Sequence, residues 1–289
     1  MTIHIIGGNG YIARRITSNI NRESGLFLNV IKYDLSNHGD CVYFDLTSKQ
    51  DVDSLKIGKS DFIVFLAAVS SPDICEDQYQ FAYSVNVMGT SRLIDKALSA
   101  EAKVLFFSSD TVLGETCEAI DENYSANPFG AYARMKYEIE EKYKTDKNFK
   151  VFRLSYVFSR TDKFTSYLIN CAESCTTAEV YDSLYRNVIY IEDVIDAIIA
   201  LYKTFEKHDN FLFHLAGGKL LSRVDMAETL KEEILTSLQI TVKDTPPGFF
   251  DKRPPVINMK SLYLNGLLNR QTTSFKEAVK HEFRGESFL

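Results

Sequence analysis

Short apolar runs alternate with amphipathic stretches through the first half of the chain. Runs rich in β-branched and aromatic residues predict strands at Ile3–Ile6, Phe27–Tyr33, Cys41–Phe44, Phe62–Leu66, Val104–Ser108 and Val151–Leu154. Helical spacing between several of these runs predicts helices, most clearly at Tyr11–Arg22, Gln78–Leu98 and Pro128–Lys144. Strands that alternate with helices form parallel sheets, and nearly continuous apolar runs indicate strands buried on both faces. The pattern therefore predicts an α/β fold built on a doubly wound parallel sheet.

The second half of the chain is less regular. Its pattern predicts helices at Thr165–Glu173 and from Glu192 to Phe205, and strands near Glu179–Tyr181, near Val188–Tyr190 and at Phe211–Leu215. Ser222 and Asp225 have the spacing of a capping box at the start of a further helix. We expect residues 1–160 plus about 186–216 to form the large domain, and about 161–185 plus 217–289 to form a smaller C-terminal substrate lobe.

Composition and charge narrow the classes of function. The chain has 289 residues, of which 45% are hydrophobic and 25% charged, as is ordinary for a globular enzyme. The net charge of -6 and the lack of a basic stripe argue against nucleic acid as a partner. No apolar run reaches the roughly 18 residues that a membrane-spanning helix requires, and no signal peptide is visible. We therefore expect a cytoplasmic protein whose partners are neither nucleic acid nor a membrane.

The cysteines and histidines indicate no special chemistry. The five cysteines form no CxxC pair, and the five histidines are scattered without a metal-ligand spacing. Reduced, buried thiols are typical of a cytosolic protein. No metal site is expected.

A glycine-rich segment, Gly7–Ala13, follows the first predicted strand directly and opens the first helix. Its glycines permit a tight turn, and the N–H groups at a helix N-terminus favour a negatively charged pyrophosphate. A glycine pattern between a strand and a helix predicts a Rossmann-like site for a nicotinamide dinucleotide. Its cofactor-binding residues are expected to be Gly7, Asn9, Gly10, Tyr11 and Ile12.

Two strand ends extend this predicted cofactor site. Asp34 ends the second strand, where a carboxylate accepts hydrogen bonds from the ribose hydroxyls and repels a 2′-phosphate, which favours NAD over NADP. Nearby cations keep NADP open as the alternative: Arg14, Arg15 and Lys32. Asp45 and Leu46 follow the third strand, where they either meet the adenine or form a solvated strand end.

A tyrosine and a lysine supply candidate catalytic groups. Tyr132 and Lys136 lie one turn apart on a predicted helix and share a face. A nearby ammonium favours the phenolate, which predicts a lowered pKa for Tyr132 and a role in proton transfer, while Lys136 is also placed to reach the nicotinamide ribose. After the fifth strand, Ser109 and Thr111 are expected to polarise the oxygen that Tyr132 protonates, with Ser108 beside the cofactor.

The order and spacing of these features resemble the extended short-chain dehydrogenase/reductase family, whose members modify nucleotide sugars. The resemblance covers nearly the whole chain. One segment is similar to the family's fourth-strand motif, with Phe65 where a histidine is usual, and implies cofactor contacts for Leu66, Ala67 and Ala68. A second segment is similar to the family's helix motif and implies that Asn86 is a structural or cofactor-side hydrogen-bonding group.

The resemblance also implies substrate contacts and a partner. Arg186 and Arg253 lie in segments similar to those that hold the nucleotide diphosphate, since arginine suits phosphate geometry. Tyr156 stands where the reductases of the family place an aromatic ring against the sugar. The helices Gln78–Leu98 and Pro128–Lys144 correspond to elements that pair across a two-fold axis in the family, which implies a homodimer.

Small differences separate the reactions that the family performs. Dehydratases carry Asp-Glu after the hydroxyl residue, whereas Asp110 is followed here by Thr111, so dehydration is disfavoured. The segments Ser108–Leu113, which includes Asp110 as a candidate catalytic residue, and Arg153–Val157 resemble the dTDP-4-dehydrorhamnose reductase group. Reduction of a 4-keto (deoxy)sugar nucleotide is therefore the leading interpretation.

Two alternatives stay open. The glycine loop and Lys32–Asp34 look more like the 4-epimerases, which retain their NAD through the reaction. A non-catalytic, NAD(P)-binding regulatory subunit is the second alternative, because Phe65 and the Asp110–Thr111 sequence depart from the family pattern.

Overall fold

Alternating strands and helices build the structure as the sequence predicts. The computed structural model describes residues 1–23, 29–36 and 39–284, of which residues 18–23 are described by their backbone only. In the first part of the chain the strands are β1 Thr2–Ile6, β2 Asn29–Asp34, β3 Cys41–Tyr43, β4 Phe62–Phe65, β5 Lys103–Ser109, β6 Thr116–Ile120 and β7 Phe149–Leu154. In the second part they are β8 Val157–Phe158, β9 Thr177–Tyr181, β10 Tyr185–Asn187, β11 Ile189–Tyr190, β12 Leu212–Leu215, β13 Leu220–Ser222, β14 Gln239–Lys243 and β15 Val256–Met259.

The helices fall mostly between these strands. Those of the first part are α1 Tyr11–Glu23, α2 Lys49–Ser54, α3 Pro72–Asp77, α4 Tyr79–Tyr83, α5 Thr90–Ser99 and α6 Gly130–Tyr143. Those of the second part are α7 Lys163–Glu173, α8 Ile191–Thr204, α9 Arg223–Glu233, α10 Leu264–Leu268 and α11 Phe275–Glu282. The predicted capping box of α9 is confirmed, since Ser222 and Asp225 bond each other's backbone N–H groups. The predicted start of the second strand at Phe27 lies outside the described residues.

Seven parallel strands form the central sheet, in the order β12-β7-β5-β4-β1-β2-β3. The chain builds the sheet outward from β1 in one direction through β3, and then from β4 in the other direction through β12. The predicted Rossmann-like, doubly wound parallel sheet is confirmed. Because the strand order reverses between β1 and β4, a crevice opens beyond the carboxyl ends of these two strands.

The sheet buries both of its faces. Side chains of successive strand residues point to opposite faces, so Ile5 and Val64 join one hydrophobic core, and Ile6 and Phe65 join the other. Helices α1 and α8 pack against each other on the first face. Helices α5 and α6 cover the second face, so both are anchored beside β5. This packing holds α6, which carries Tyr132, against the strand that ends at Ser109.

The predicted long helix from Gln78 to Leu98 is interrupted in its middle. A π-helical turn, Ser84–Gly89, joins α4 to α5 without a break in the chain. A Cβ added to Gly89 would lie 2.4 Å from the carbonyl oxygen of Leu46, so only glycine allows the helix to approach the end of β3 this closely. Such wider turns often lie at functional sites, and this one carries Asn86.

A second sheet contains strands that the pattern did not predict. Its order is β13-β10-β15-β6, with β10 and β13 antiparallel and the other pairs parallel. The second sheet joins β6, which lies within residues 1–160, to strands from the second half of the chain. The predicted division into two domains by residue ranges stays a prediction. No helix in the described ranges is long and apolar enough to cross a membrane.

Candidate active site

A cleft of about 440 Å³ lies beyond the carboxyl ends of β1, β4 and β5. The residues predicted from the sequence that line it are Gly7, Gly10, Tyr11, Ile12, Asp34, Asp45, Leu46, Leu66, Ala67, Ala68, Ser108, Tyr132 and Lys136. The tertiary structure thus gathers residues from the glycine loop, from the ends of four further strands and from α6 around one space.

The glycine loop owes its shape to close backbone contacts. The N–H groups of Gly7 and Gly8 both donate to the carbonyl oxygen of Tyr33, at 2.9 Å each. Gly7 has a φ of +92°, and a Cβ there would lie 2.8 Å from the backbone nitrogen of Ala67. The loop therefore leads into the N-terminus of α1 without side chains that would fill the space, an arrangement that fits a pyrophosphate.

Asn9 and Asp34 brace this loop. The Asn9 N–H donates to Asp34 Oδ2 at 3.0 Å, and Asn9 Nδ2 donates to Ser36 Oγ at 2.7 Å. The side chain of Asn9 thereby ties the loop to the end of β2. Asp34 lines the cleft beside it, at the place where a carboxylate meets ribose hydroxyls.

Two further residues shape the cofactor end of the cleft. Asp45 accepts hydrogen bonds from the Thr47 N–H at 2.8 Å and from Thr47 Oγ1 at 2.7 Å, which orders the turn after β3. Asn86 is buried and pairs with the backbone of Val69, accepting from its N–H at 2.8 Å and donating to its carbonyl oxygen at 3.0 Å. Asn86 therefore supports the loop that carries Ala67 and Ala68, and contributes no lining to the cleft.

Tyr132 and Lys136 lie at the other end of the cleft, one turn apart on α6. Lys136 Nζ donates to the carbonyl oxygen of Phe107 at 2.8 Å and lies 5.9 Å from the centre of the Tyr132 ring. Burial lowers the pKa of Lys136 to about 7. Burial also raises the pKa of Tyr132, with smaller contributions from Cys75 and Asp110. This differs from the predicted lowering of the Tyr132 pKa, because desolvation of the phenolate is the largest cause and both neighbouring acidic groups act in the same direction.

The two serines at the end of β5 point in different directions. Ser108 is buried at the cleft, and among the described residues its hydroxyl oxygen has no hydrogen-bond partner. Ser109 Oγ donates to Asp110 Oδ1 at 3.3 Å and accepts from Thr111 Oγ1 at 2.9 Å and from the Thr111 N–H at 3.2 Å. A buried hydroxyl normally has a partner, so the unpaired Ser108 fits a polar ligand group in the cleft.

The two predicted phosphate-binding arginines are both bonded to protein groups. Arg186 is buried and pairs with Asp110 through Nε at 3.3 Å, while its terminal nitrogens donate to backbone carbonyl oxygens. Arg253 donates to Asp73 Oδ2 at 2.6 Å and stacks on the Phe249 ring. Neither lines the cleft, and this arrangement does not favour the prediction that Arg186 holds a diphosphate.

Arg223, which the sequence did not single out, lies against Tyr156, a predicted substrate contact. Its guanidinium carbon lies 3.6 Å from the centre of the Tyr156 ring, and the Tyr156 hydroxyl donates to Asp162. One face of the predicted sugar-stacking ring is therefore covered by an arginine. Arg223 follows the Ser222 cap without any motif, and nothing in its local sequence signals that it lies on Tyr156.

The described residues contain no cluster of three or more His, Cys, Asp or Glu side chains that could hold a metal ion. The residues that line the cleft supply a glycine cradle, hydroxyl groups, a phenol and an ammonium. This set can bind a dinucleotide at one end and exchange a proton with a bound carbonyl or hydroxyl at the other.

Three curated relatives are similar to parts of this chain. The spore coat polysaccharide biosynthesis protein SpsK of Bacillus subtilis is 24% identical over 60% of this chain and 61% of its own length. Methionine adenosyltransferase 2 subunit beta of Xenopus tropicalis is 23% identical over 63% and 58%. dTDP-4-dehydrorhamnose reductase of Sinorhizobium fredii is 26% identical over 70% and 71%. The similarity thus spans about three fifths of the first two relatives.

Solved structures share the whole fold. A dTDP-4-dehydrorhamnose reductase from Clostridium acetobutylicum has a TM-score of 0.81 at 23% identity, with 98% of each chain covered. UDP-glucose 4-epimerase from Thermotoga maritima has a TM-score of 0.80 at 19% identity, with 98% and 99% covered. The family described as the RmlD substrate binding domain matches residues 1–285. A match over nearly the full length shows that this chain belongs to that family, within the extended short-chain dehydrogenase/reductase-like nucleotide-sugar enzymes.

Proposed function

We propose that the chain is a nicotinamide-dependent enzyme that reduces a 4-keto sugar nucleotide. The observation that carries the proposal is the single cleft that joins the glycine cradle at one end to Ser108, Tyr132 and Lys136 at the other. The similarity to dTDP-4-dehydrorhamnose reductase and to a polysaccharide biosynthesis protein supports a nucleotide sugar as the substrate.

The cofactor end would hold the dinucleotide through backbone and carboxylate groups. Gly7–Gly10 and the N-terminus of α1 would bind the pyrophosphate, and Asp34 would accept the ribose hydroxyls. When bound, the reduced nicotinamide supplies the hydride for the reaction. Ser108 and Lys136, which line the inner end of the cleft, would hold the nicotinamide side.

The reacting end would manage the proton. Burial keeps Tyr132 protonated at neutral pH, so the residue has a proton to donate to the sugar oxygen. Lys136 on the same helix face stabilises the phenolate that this transfer leaves. Ser109 and Thr111 remain proposed contacts of the same oxygen; to donate to it, a hydroxyl proton would have to leave its present bond, that of Ser109 to Asp110 or that of Thr111 to Ser109. Tyr156 and Arg253 remain the proposed substrate contacts.

We assign NAD as the cofactor, with NADP as the alternative. Asp34 lines the cleft where a 2′-phosphate would lie, and this carboxylate would repel it. Lys32, one of the cations that kept NADP open, is paired with Asp40.

We also propose that the chain works as a homodimer in the cytoplasm. The exposed apolar side chains of Tyr79, Phe81 and Met88, in α4 and the turn that follows it, support a protein partner for this segment. The five free cysteines support a reducing compartment.

A 4-epimerase is the second candidate. The 4-epimerases retain NAD through the reaction, and Asp34 in the cleft favours NAD over NADP. Purified protein tests both functions. One portion would be denatured to release any bound dinucleotide, and a native portion would be assayed for NADH consumption with dTDP-4-dehydrorhamnose and with other 4-keto sugar nucleotides.

Stoichiometric NADH oxidation with product formation supports the reductase. Retained NAD, with interconversion of C4 epimers and no net NADH consumption, supports the epimerase and overturns the reductase. Dinucleotide binding without turnover on any of these substrates overturns both and favours a non-catalytic subunit, as the similarity to a methionine adenosyltransferase subunit would suggest.

A further inference from the structure

The hydroxyl group of Ser108 lies at the cleft with its proton unused. The residue is 5% exposed and lines the cleft, and among the described residues its oxygen has no hydrogen-bond partner. Most buried polar side-chain atoms in folded proteins have such a partner. A buried hydroxyl that lacks one and lines a cleft is therefore placed to bond a polar atom of a ligand.

Ser108 lies on the side of the central sheet that α6 covers. Side chains alternate between the two faces along β5, and Phe106, two residues earlier, packs in the core beneath α6. Lys136 Nζ donates at 2.8 Å to the carbonyl oxygen of Phe107, which belongs to the peptide group that joins Phe107 to Ser108. Ser108 therefore lies beside Lys136, and Tyr132, one helical turn away, lines the same cleft.

The hydroxyl group of Ser109 is placed differently. It donates to Asp110 Oδ1 at 3.3 Å, and it accepts from Thr111 Oγ1 at 2.9 Å and from the Thr111 N–H at 3.2 Å. A hydroxyl has one proton and two lone pairs, so these bonds use all three. Ser109 is not among the described residues that line the cleft. It can donate to a ligand only by giving up its bond to Asp110, whereas Ser108 gives up none.

We propose that Ser108 is a catalytic residue, whose hydroxyl donates a hydrogen bond to the C4 oxygen of the sugar nucleotide. The inference rests on the proposed function, in which Tyr132 donates the proton to that oxygen. A donor that is free before the substrate binds needs no rearrangement, and such donors stabilise the negative charge that develops on a carbonyl oxygen. The lone pairs of Ser108 stay available to the nicotinamide side, so one hydroxyl serves both contacts.

The unpartnered hydroxyl also makes a prediction that needs no reaction. Ser108→Ala removes a buried polar group that bonds no described residue, so the ligand-free protein should lose no stability. Ser109→Ala removes three hydrogen bonds and should lower the stability. Urea unfolding should therefore give a midpoint at or above that of the wild type for Ser108→Ala, and a lower midpoint for Ser109→Ala. A lower midpoint for Ser108→Ala would show that its hydroxyl has a partner in the free protein, and the proposal would fail.

Steady-state kinetics with NADH and dTDP-4-dehydrorhamnose test the catalytic role. We expect Ser108→Ala to lower kcat about 100-fold, with a much smaller change in KM, because a donor to a developing oxyanion acts mainly in the transition state. Ser109→Ala should lower kcat less, since its hydroxyl is bonded within the protein. Calorimetric titration with NADH alone measures what each substitution does to dinucleotide binding.

A second binding measurement isolates the bond to the C4 oxygen. With NAD bound, calorimetry compares the reduced product of dTDP-4-dehydrorhamnose with an analogue that lacks the C4 oxygen. We expect Ser108→Ala to weaken product binding about 3- to 10-fold, as the loss of one hydrogen bond does, and to leave binding of the analogue unchanged. Equal effects on the two ligands would show that Ser108 does not bond the C4 oxygen.

The kinetic outcomes separate this inference from the proposed function. A wild type that turns over while Ser108→Ala matches it overturns the inference alone. A larger loss of kcat for Ser109→Ala than for Ser108→Ala assigns the role to Ser109 instead, and a loss of NADH affinity with kcat unchanged limits Ser108 to the nicotinamide side. A wild type that neither turns over nor binds any sugar nucleotide overturns the proposed function, and this inference with it.

Discussion

The ammonium of Lys136 donates a hydrogen bond of 2.8 Å to the carbonyl oxygen of Phe107, at the buried end of the cleft. This contact joins α6 to β5, the two elements that carry Tyr132 and Ser109. The same ammonium lies 4.5 Å above the ring of Phe106. Lys136 is thus buried, with its ammonium in contact with one carbonyl group and one aromatic face.

The stability of the ligand-free protein should rise with pH through the neutral to alkaline range. Burial lowers the pKa of Lys136 from 10.5 to about 7, so between these values the unfolded chain binds more protons than the folded protein. We expect the unfolding free energy of the wild type, relative to Lys136→Met, to increase by roughly 3 to 5 kcal/mol across this window. Urea unfolding at several pH values measures it. Lys142→Met, on the exposed side of the same helix, is the control, and parallel pH curves for the wild type and Lys136→Met would contradict the expectation.

Tyr132→Phe should abolish turnover and leave dinucleotide binding intact. The substitution removes only the hydroxyl that we propose as the proton donor, and such a group typically contributes about 10²- to 10⁴-fold to the rate. The control is Tyr137→Phe, one turn along the same helix, where the hydroxyl bonds Glu141. Turnover is followed by NADH absorbance and binding by calorimetry. Full activity of Tyr132→Phe would exclude it as the proton donor.

Asp34→Ser should shift the preference between the two nicotinamide cofactors. On our assignment of the cofactor, removing the carboxylate takes away an acceptor for the ribose hydroxyls and the repulsion of a 2′-phosphate. We expect NAD to bind about tenfold more weakly, or worse, and NADP to bind more tightly than it does to the wild type, as read by calorimetric titration. Asp45→Asn is a control at the same cleft. An unchanged ratio of the two dissociation constants would show that Asp34 does not select the cofactor.

Gly7→Ala should destabilise the protein and weaken dinucleotide binding. Gly7 has a φ of +92°, and the new Cβ would lie 2.8 Å from the backbone nitrogen of Ala67, which has no flexible atom to move aside. We expect a loss of about 1 to 3 kcal/mol in unfolding free energy by chemical denaturation. Gly218→Ala is the matched control, because its Cβ would meet no atom within 4 Å. Equal stabilities of the two variants would show that the loop relaxes freely.

Breaking the buried ion pair between Arg153 and Glu140 should strongly destabilise the protein, whereas replacing both residues with apolar ones should destabilise it much less. Arg153 donates through Nε and Nη2 to Glu140, with the shorter bond at 2.6 Å, and both side chains are buried. Glu140→Gln leaves a buried arginine without its counter-charge, so we expect a loss of about 3 to 5 kcal/mol in unfolding free energy. The double variant Glu140→Leu/Arg153→Met should recover most of that loss.

Glu141→Gln provides the comparison for this ion pair. Glu141 pairs with Lys144 at the surface, where an ion pair contributes about 1 kcal/mol or less. A similar loss for Glu140→Gln and Glu141→Gln would show that burial does not raise the cost at Arg153.

The sequence by itself determined the features that are local along the chain. Periodicity predicted the strands of the central sheet and the helices α1, α6, α7 and α8, because burial on one or both faces repeats every two or 3.6 residues. The glycine loop was predictable because its signal is also local: glycines that stand between a predicted strand and a predicted helix. The pairing of Tyr132 with Lys136 was predictable because residues four positions apart on a helix share a face.

Only the tertiary structure decided which distant groups meet. Arg186 and Asp110, Arg223 and Tyr156, and Asn86 and Val69 are far apart in the chain, and no local pattern reports their contacts. The rise in the Tyr132 pKa likewise follows from desolvation by residues of several elements, while the sequence showed only the ammonium nearby. Burial and long-range pairing depend on how the elements pack, which is why only the folded structure shows that Arg186 pairs with Asp110.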